Sequence, residues 1–177
     1  MIYFFTPYSW EKNIGQAYNQ YIRLVPNDDD YICLMDGDIM FLTADFGDHL
    51  QNIVNKYPEA SLFTCLTNRV GNRGQCYRGD MSENFDVKFH EAIAKDLQAR
   101  NYFLVSPVNR VISGYLLLFK KKVWREVGGF FEKGILKVDN DFSRKVLLKG
   151  GIIYLMEGVY VFHKYRTNGK NNKNHLL

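Results

Sequence analysis

The chain has 177 residues, 46% of them hydrophobic and 15% aromatic, with a formal net charge of +4. That length and apolar content suit one globular domain with its own core and exclude a disordered chain. No apolar run approaches the roughly 20 residues a bilayer-spanning helix needs.

In chain order, Met1-Ile2-Tyr3-Phe4-Phe5 lacks a basic leader region and runs into Thr6-Pro7, so it reads as a first strand rather than a signal peptide. Residues 13–24 carry Ile14, Ala17, Tyr18, Tyr21 and Ile22 at helical spacing. A polar turn, Pro26-Asn27-Asp28-Asp29-Asp30, precedes an apolar strand over 31–35. A helix over 45–57 and a buried strand over 60–66 follow. The Gly- and Arg-rich stretch 67–82 is too long for a tight turn, and loops of that length are often functional. Residues 84–100 read as a helix, 114–119 as a strand, the stretch around Val123 as a short helix, and Gly128-Gly129-Phe130 as a turn that packs backbone close to a ligand or another segment. The last helix covers 139–148. Gly150-Gly151 ends it, and two strands follow over 152–156 and 159–163. Only 167–174, rich in Asn, Lys and Gly, has the composition of a fraying terminus.

Strands alternating with helices, and strands apolar along their whole length, predict an α/β fold with a mostly parallel central sheet flanked by helices. Ligands in such sheets bind beyond the carboxyl ends of the strands. Asp36-Gly37-Asp38 stands at one such end. Two carboxylates one residue apart there suit a hard divalent cation, whose usual partner is a phosphate group. Aspartates also cap turns and helices, so the pair gains weight only in company with polar residues later in the chain. Asp139-Asn140-Asp141 opens a helix, Asp141 being assigned the capping role, and His163 ends the last strand where an imidazole could complete a carboxylate metal site.

The three cysteines show no zinc-site spacing. Cys33 and Cys65 lie inside apolar runs and read as buried thiols in a reducing cytosol. Basic residues gather near the C-terminus (Lys164, Arg166, Lys170, Lys173) and in the long loop (Arg69, Arg73, Arg78). Such clusters suit nucleic acid, a nucleotide diphosphate or an anionic membrane surface, or are simply solvated.

Taken together, the residues resemble a known family. Ile14-Gly15-Gln16-Ala17-Tyr18-Asn19 ahead of Leu34-Met35-Asp36-Gly37-Asp38 is similar to the Gly-x-x-Arg-Asn helix and Asp-x-Asp (DxD) strand of GT-A glycosyltransferases. Ile112-Ser113-Gly114, Trp124 to Phe130, Val138 to Arg144, Lys149-Gly150-Gly151 and His163 continue the series in the order of the family-two, mostly inverting, nucleotide-sugar transferases. The resemblance implies a single GT-A-like domain over 1–166 and a basic tail over 167–177. It implies that Asp36, Asp38 and His163 hold Mn²⁺ or Mg²⁺ on a donor diphosphate, and that Asp139 is the catalytic base. Thr6, Pro7, Tyr8, Asn19, Asp36 and Gly114 would bind the donor. The partners it implies are a nucleotide-sugar donor, such as a UDP-sugar, and a carbohydrate or glycolipid acceptor in polysaccharide synthesis. Nucleic acid is not among them. The expected place is the cytoplasm, with attachment to the inner membrane face through the basic tail.

The chain departs from that pattern in three places. Tyr18 stands where the family has Arg, and Val138 where it has Glu. The helix and acidic-ended strand that normally follow the first strand and read the nucleotide base are missing, so the base is not inherited from the resemblance. Arg69, Arg73 and Arg78 are candidates to supply the lost phosphate contacts. Two rival readings start from the same residues. One is a non-catalytic nucleotide- or carbohydrate-binding relic of the fold. The other is a haloacid-dehalogenase-like phosphatase, which expects Thr or Val where Met40 stands.

Overall fold

A computed structural model describes residues 1–165. The tail predicted over 167–177 lies outside the described residues. The chain runs β1 (Ile2–Phe5), α1 (Ile14–Arg23), β2 (Tyr31–Met35), β3 (Ile39–Phe41), α2 (Phe46–Lys56) and β4 (Leu62–Thr67). It continues through α3 (Val87–Asn101), β5 (Val105–Pro107), β6 (Leu116–Lys120), α4 (Lys121–Glu126), α5 (Val138–Leu148) and β7 (Ile153–His163). The long loop after β4 contains two 3₁₀ turns, Arg73–Gln75 and Tyr77–Gly79.

All seven strands join one sheet in the order β1-β2-β6-β4-β7-β3, with β5 also paired to β7. The sheet is mixed, which corrects the expectation of a mostly parallel one. Only β1–β2 and β4–β7 pair in parallel, while β2–β6, β4–β6, β3–β7 and β5–β7 are antiparallel. The antiparallel strands are β6, which inserts between the two parallel pairs and runs against both, and the short β3 and β5, which run against β7. Because β6 opposes β2 and β4 alike, β1, β2, β4 and β7 still point the same way. Their carboxyl ends, at Thr6, Asp36, Asn68 and His163, therefore meet the start of β6 at Ser113-Gly114. That is the end where open α/β sheets bind ligands.

Side-chain alternation along β2 feeds two cores. Ile32 and Leu34 join Tyr18, Ile22, Phe119, Phe142 and Val146, which brings α1, α4 and α5 onto one face. Tyr31 and Cys33 join Leu50, Ile53, Phe63 and Met156, which brings α2 onto the other. The third helix, α3, lies on β7, with Ala94 and Leu97 against Leu155 and Tyr160. Cys33, Cys65 and Cys76 are buried free thiols. No helix among the described residues is long and apolar enough to cross a membrane.

The two strands predicted over 152–163 are one strand, β7, carrying an irregularity opposite Cys65 and Leu66. Its first half pairs with β5 and its last three residues with β3. Gly158 lies in the irregular stretch, and a Cβ there would come within 2.4 Å of the Asn101 carbonyl oxygen where α3 ends. Glu157-Gly158, the gap between the two expected strands, is thus a bulge pressed under a helix terminus.

Candidate metal and catalytic site

The turn between β2 and β3 is stitched to its surroundings by backbone bonds. The Asp36 N–H donates to the Tyr115 carbonyl (3.0 Å), and the Lys164 N–H donates to the Asp38 carbonyl (3.0 Å). The second bond ties the aspartate turn to the end of β7, so Asp38 and His163 meet although they are far apart in sequence. His163 Nε2 lies 3.2 Å from an Asp38 carboxylate oxygen and 3.9 Å from one of Asp36. One potential ligand atom from each of the three residues lies within 4.8 Å of the others.

His163 is held on every side. Its backbone N–H donates to the Asn68 side chain (2.7 Å), whose amide in turn donates to the His163 carbonyl (3.2 Å). The ring is 3% exposed and sits between those of Tyr115 and Tyr165, with centroids 5.3 and 5.4 Å away. Its Nδ1 is 2.9 Å from the Arg69 carbonyl, which only accepts, so Nδ1 carries a proton. That leaves Nε2 facing two carboxylates, where it can donate a proton to Asp38 or, once that proton is displaced, offer its lone pair to a cation held between them. A hydrogen bond that fixes the outer nitrogen of a ligating histidine is the usual support for a metal site. Two carboxylate oxygens and one imidazole nitrogen suit Mn²⁺, and Mg²⁺ with more of its ligands drawn from water.

The charges agree with that arrangement. Burial pushes the Asp36 carboxyl up to about 6. The His163 ring opposes the rise, and the Asp38 and Asp139 carboxylates add to it. Asp38 is held below the usual carboxylate range, chiefly by its hydrogen bond with His163. Asp36 and Asp139, two carboxylates partly withdrawn from water on one cavity wall, carry an electrostatic cost that a divalent cation would relieve.

Asp139 occupies the first turn of α5. One carboxylate oxygen accepts the Gly114 N–H (2.7 Å) and the other the Asn140 N–H (2.8 Å). Burial raises its pKa, while these two N–H groups pull the other way. Gly114 is needed for the approach, because a Cβ there would lie 2.6 Å from the Asp139 Cβ. Asp139, Asp36, His163, Gly114 and Tyr18 all line one cavity of about 280 Å³. Asp141, expected to cap α5, instead lies inside the helix and pairs with Lys145 at 2.7 Å; Lys137, with φ 69°, holds the cap position.

The residues expected to bind a donor divide. Asp36 and Gly114 are on the cavity wall; Thr6, Pro7, Tyr8 and Asn19 are not. The Thr6 methyl group would lie 3.5 Å from a Cβ on Gly37, which sets Thr6 beside the aspartate turn, while Tyr8 is 71% exposed. The Asn19 amide is fully engaged within the protein. It donates to the Phe130 carbonyl and to Glu132, and accepts from the Trp124 indole and the Phe130 N–H. Asn19 thus clamps the Gly128-Gly129-Phe130 turn onto α1, and the close packing predicted for that turn is against another segment. We expect Asn19→Ala to destabilise the fold by about 2–4 kcal/mol in urea unfolding, since it strands buried polar groups. A loss under about 0.5 kcal/mol would show the clamp to be idle.

Arg69 is likewise committed to the fold: it donates to the carbonyls of Tyr165 and Ser82 and pairs with Glu83. It is 8% exposed and unavailable for phosphate, which corrects that expectation. Arg73 pairs with Asp80, and the Arg78 guanidinium lies over the Tyr77 ring.

Asn68 and Gln75 are site residues that sequence reasoning missed. Gln75 donates to Ser113 O and accepts from Ser113 N, bracing the segment that carries Gly114. Their only sequence signal is an amide in the loop directly after a buried strand. No protein-family model and no curated protein matches the chain.

Proposed function

We propose that this chain is a divalent-metal-dependent glycosyltransferase, moving a sugar from a nucleotide-sugar donor to an acceptor hydroxyl with inversion at the anomeric carbon. The observation that carries the reading is an Asp-Asp-His cluster whose Asp36 and His163 share one cavity wall with a third, differently held carboxylate, Asp139. Asp36, Asp38 and His163 would hold Mn²⁺ or Mg²⁺. The bound ion would offset the charge of a departing nucleoside diphosphate.

Asp139 is the base. Its burial raises its affinity for a proton toward what a base at neutral pH requires, and its two backbone N–H contacts fix its orientation. The acceptor oxygen forms a bond to the anomeric carbon and gives its proton to Asp139. The bond from that carbon to the diphosphate oxygen breaks, and its electron pair leaves with the nucleoside diphosphate. The resemblance favours a UDP-sugar donor, a carbohydrate or glycolipid acceptor, and work at the inner face of the cytoplasmic membrane in polysaccharide assembly.

Calorimetry with Mn²⁺ and a panel of UDP- and GDP-sugars, followed by NMR of the products, tests the proposal. The expected result is metal-dependent donor binding and a product of inverted anomeric configuration. A protein that binds no member of the panel, or binds without transfer or hydrolysis, is not a glycosyltransferase of this kind.

A further inference from the structure

We propose that Tyr18 is the specificity-determining hydrogen-bond donor of the site, reading a ring hydroxyl of the transferred sugar, an inference that rests on the glycosyltransferase reading above. Tyr18 lies on α1, is 6% exposed and lines the cavity with Asp36 and Asp139. Its ring meets Phe130 edge-on, with centroids 5.0 Å apart. The helix that carries it is fixed from behind. Asn19 binds the 128–130 turn, and Gly15 leaves room for the Phe131 carbonyl, which a Cβ would approach to 1.9 Å.

Among the described residues the Tyr18 hydroxyl makes no hydrogen bond to protein, and its oxygen is not sealed off with the rest of the side chain but is open to the cavity. It faces the cavity, so the partner that fits is a ligand atom. The hydroxyl keeps its proton. Burial, and then the negative charges of Asp36 and Asp139, push its pKa far above the usual tyrosine value. It therefore presents an uncharged O–H donor. An uncharged donor adds nothing to the charge balance of a cation and a diphosphate, and suits an uncharged oxygen.

Its position narrows which oxygen that is. Asp36 marks the metal and diphosphate side of the cavity and Asp139 the acceptor side, so a group near both lies beside the unit in transit. A site that hydrogen-bonds a substrate hydroxyl strongly rejects analogues without it, because its own buried donor is left unpaired.

The test compares the Mn²⁺-loaded wild type with Tyr18→Phe, which keeps the ring and removes only the hydroxyl. Calorimetry would use UDP, UDP-glucose, UDP-galactose, UDP-N-acetylglucosamine and singly deoxygenated analogues of the best-bound sugar. Mn²⁺ and UDP should bind both proteins alike to within about twofold, whereas the best UDP-sugar should lose roughly 5- to 15-fold in the variant. In the wild type, one deoxy analogue should show a similar loss, and in Tyr18→Phe that analogue and its parent should bind equally. Because the deoxy series also runs on the unaltered protein, it reads the contact even where the variant folds poorly. Equal losses for UDP and UDP-sugar would place Tyr18 on the phosphate or in a structural role. Unchanged affinity, or no sensitive deoxy position, would remove it from recognition. If the wild type binds Mn²⁺ but neither a member of this panel nor any GDP-sugar, the glycosyltransferase reading itself falls, and this assignment with it.

Discussion

Asp139→Asn should lower sugar transfer by about 10²–10⁴-fold, the usual contribution of a positioned general base, while Mn²⁺ and UDP still bind within about twofold of the wild type. The variant is close to isosteric but not silent. Asp139 accepts one N–H on each carboxylate oxygen, from Gly114 and from Asn140. An asparagine has one oxygen, so its NH₂ must face one of those donors and a hydrogen bond is lost. We expect a stability cost of about 1–2 kcal/mol, or a fall of a few degrees in Tm for a chain of this size. The discriminating measurement is single-turnover transfer on protein shown to be folded and Mn²⁺-loaded. Turnover within tenfold of the wild type would take the base assignment away from Asp139. A matching loss of metal affinity would instead make it part of the cation site.

The second large effect concerns His163 and Asp38. Disturbing even the outer partners of a metal ligand commonly costs 10- to 100-fold in affinity, so Asp38→Ala and His163→Gln should each weaken Mn²⁺ binding by at least about that much. Glutamine fills much of the space between Tyr115 and Tyr165 and keeps the comparison from becoming one of cavities. Mn²⁺ at 100 times its Kd should stabilise the wild type by about 2.7 kcal/mol, a rise in Tm of roughly 5–10 °C. Both variants should lose most of that rise. If His163→Gln keeps it, the imidazole is a hydrogen-bond partner of Asp38 and not a ligand.

Long periodic segments were legible in the sequence. The helix around Tyr18, the strand over 31–35 and the helix after Val138 appear within a residue or two of their expected bounds. β3 and β5 were not, because three residues carry no periodicity. Strand direction was not legible either: the apolar run of β6 reads the same whichever way it lies, and its direction, with those of β3 and β5, makes the sheet mixed. The gathering of Asp36, Asp38 and His163 was expected from the family resemblance. What lies behind them was not, since Asn19, Asn68, Gln75 and Arg69 act through partners distant in sequence. Tyr18 reads in sequence as a lost contact, and only its place on the cavity wall turns it into a candidate for a new one.

β7 has a consequence for how the protein comes into being. It pairs with β4, β5 and β3 and delivers His163 to the two aspartates, yet it is the last of the described elements to leave the ribosome. Until it is made, three earlier strands have an open edge and the cation site lacks its nitrogen. A nascent or prematurely ended chain without β7 would thus expose strand edges, the condition that invites aggregation and chaperone capture, and would hold the metal weakly. Metal binding should therefore appear only once β7 has emerged, and a metal-binding assay on stalled chains of increasing length would register β7 joining the sheet.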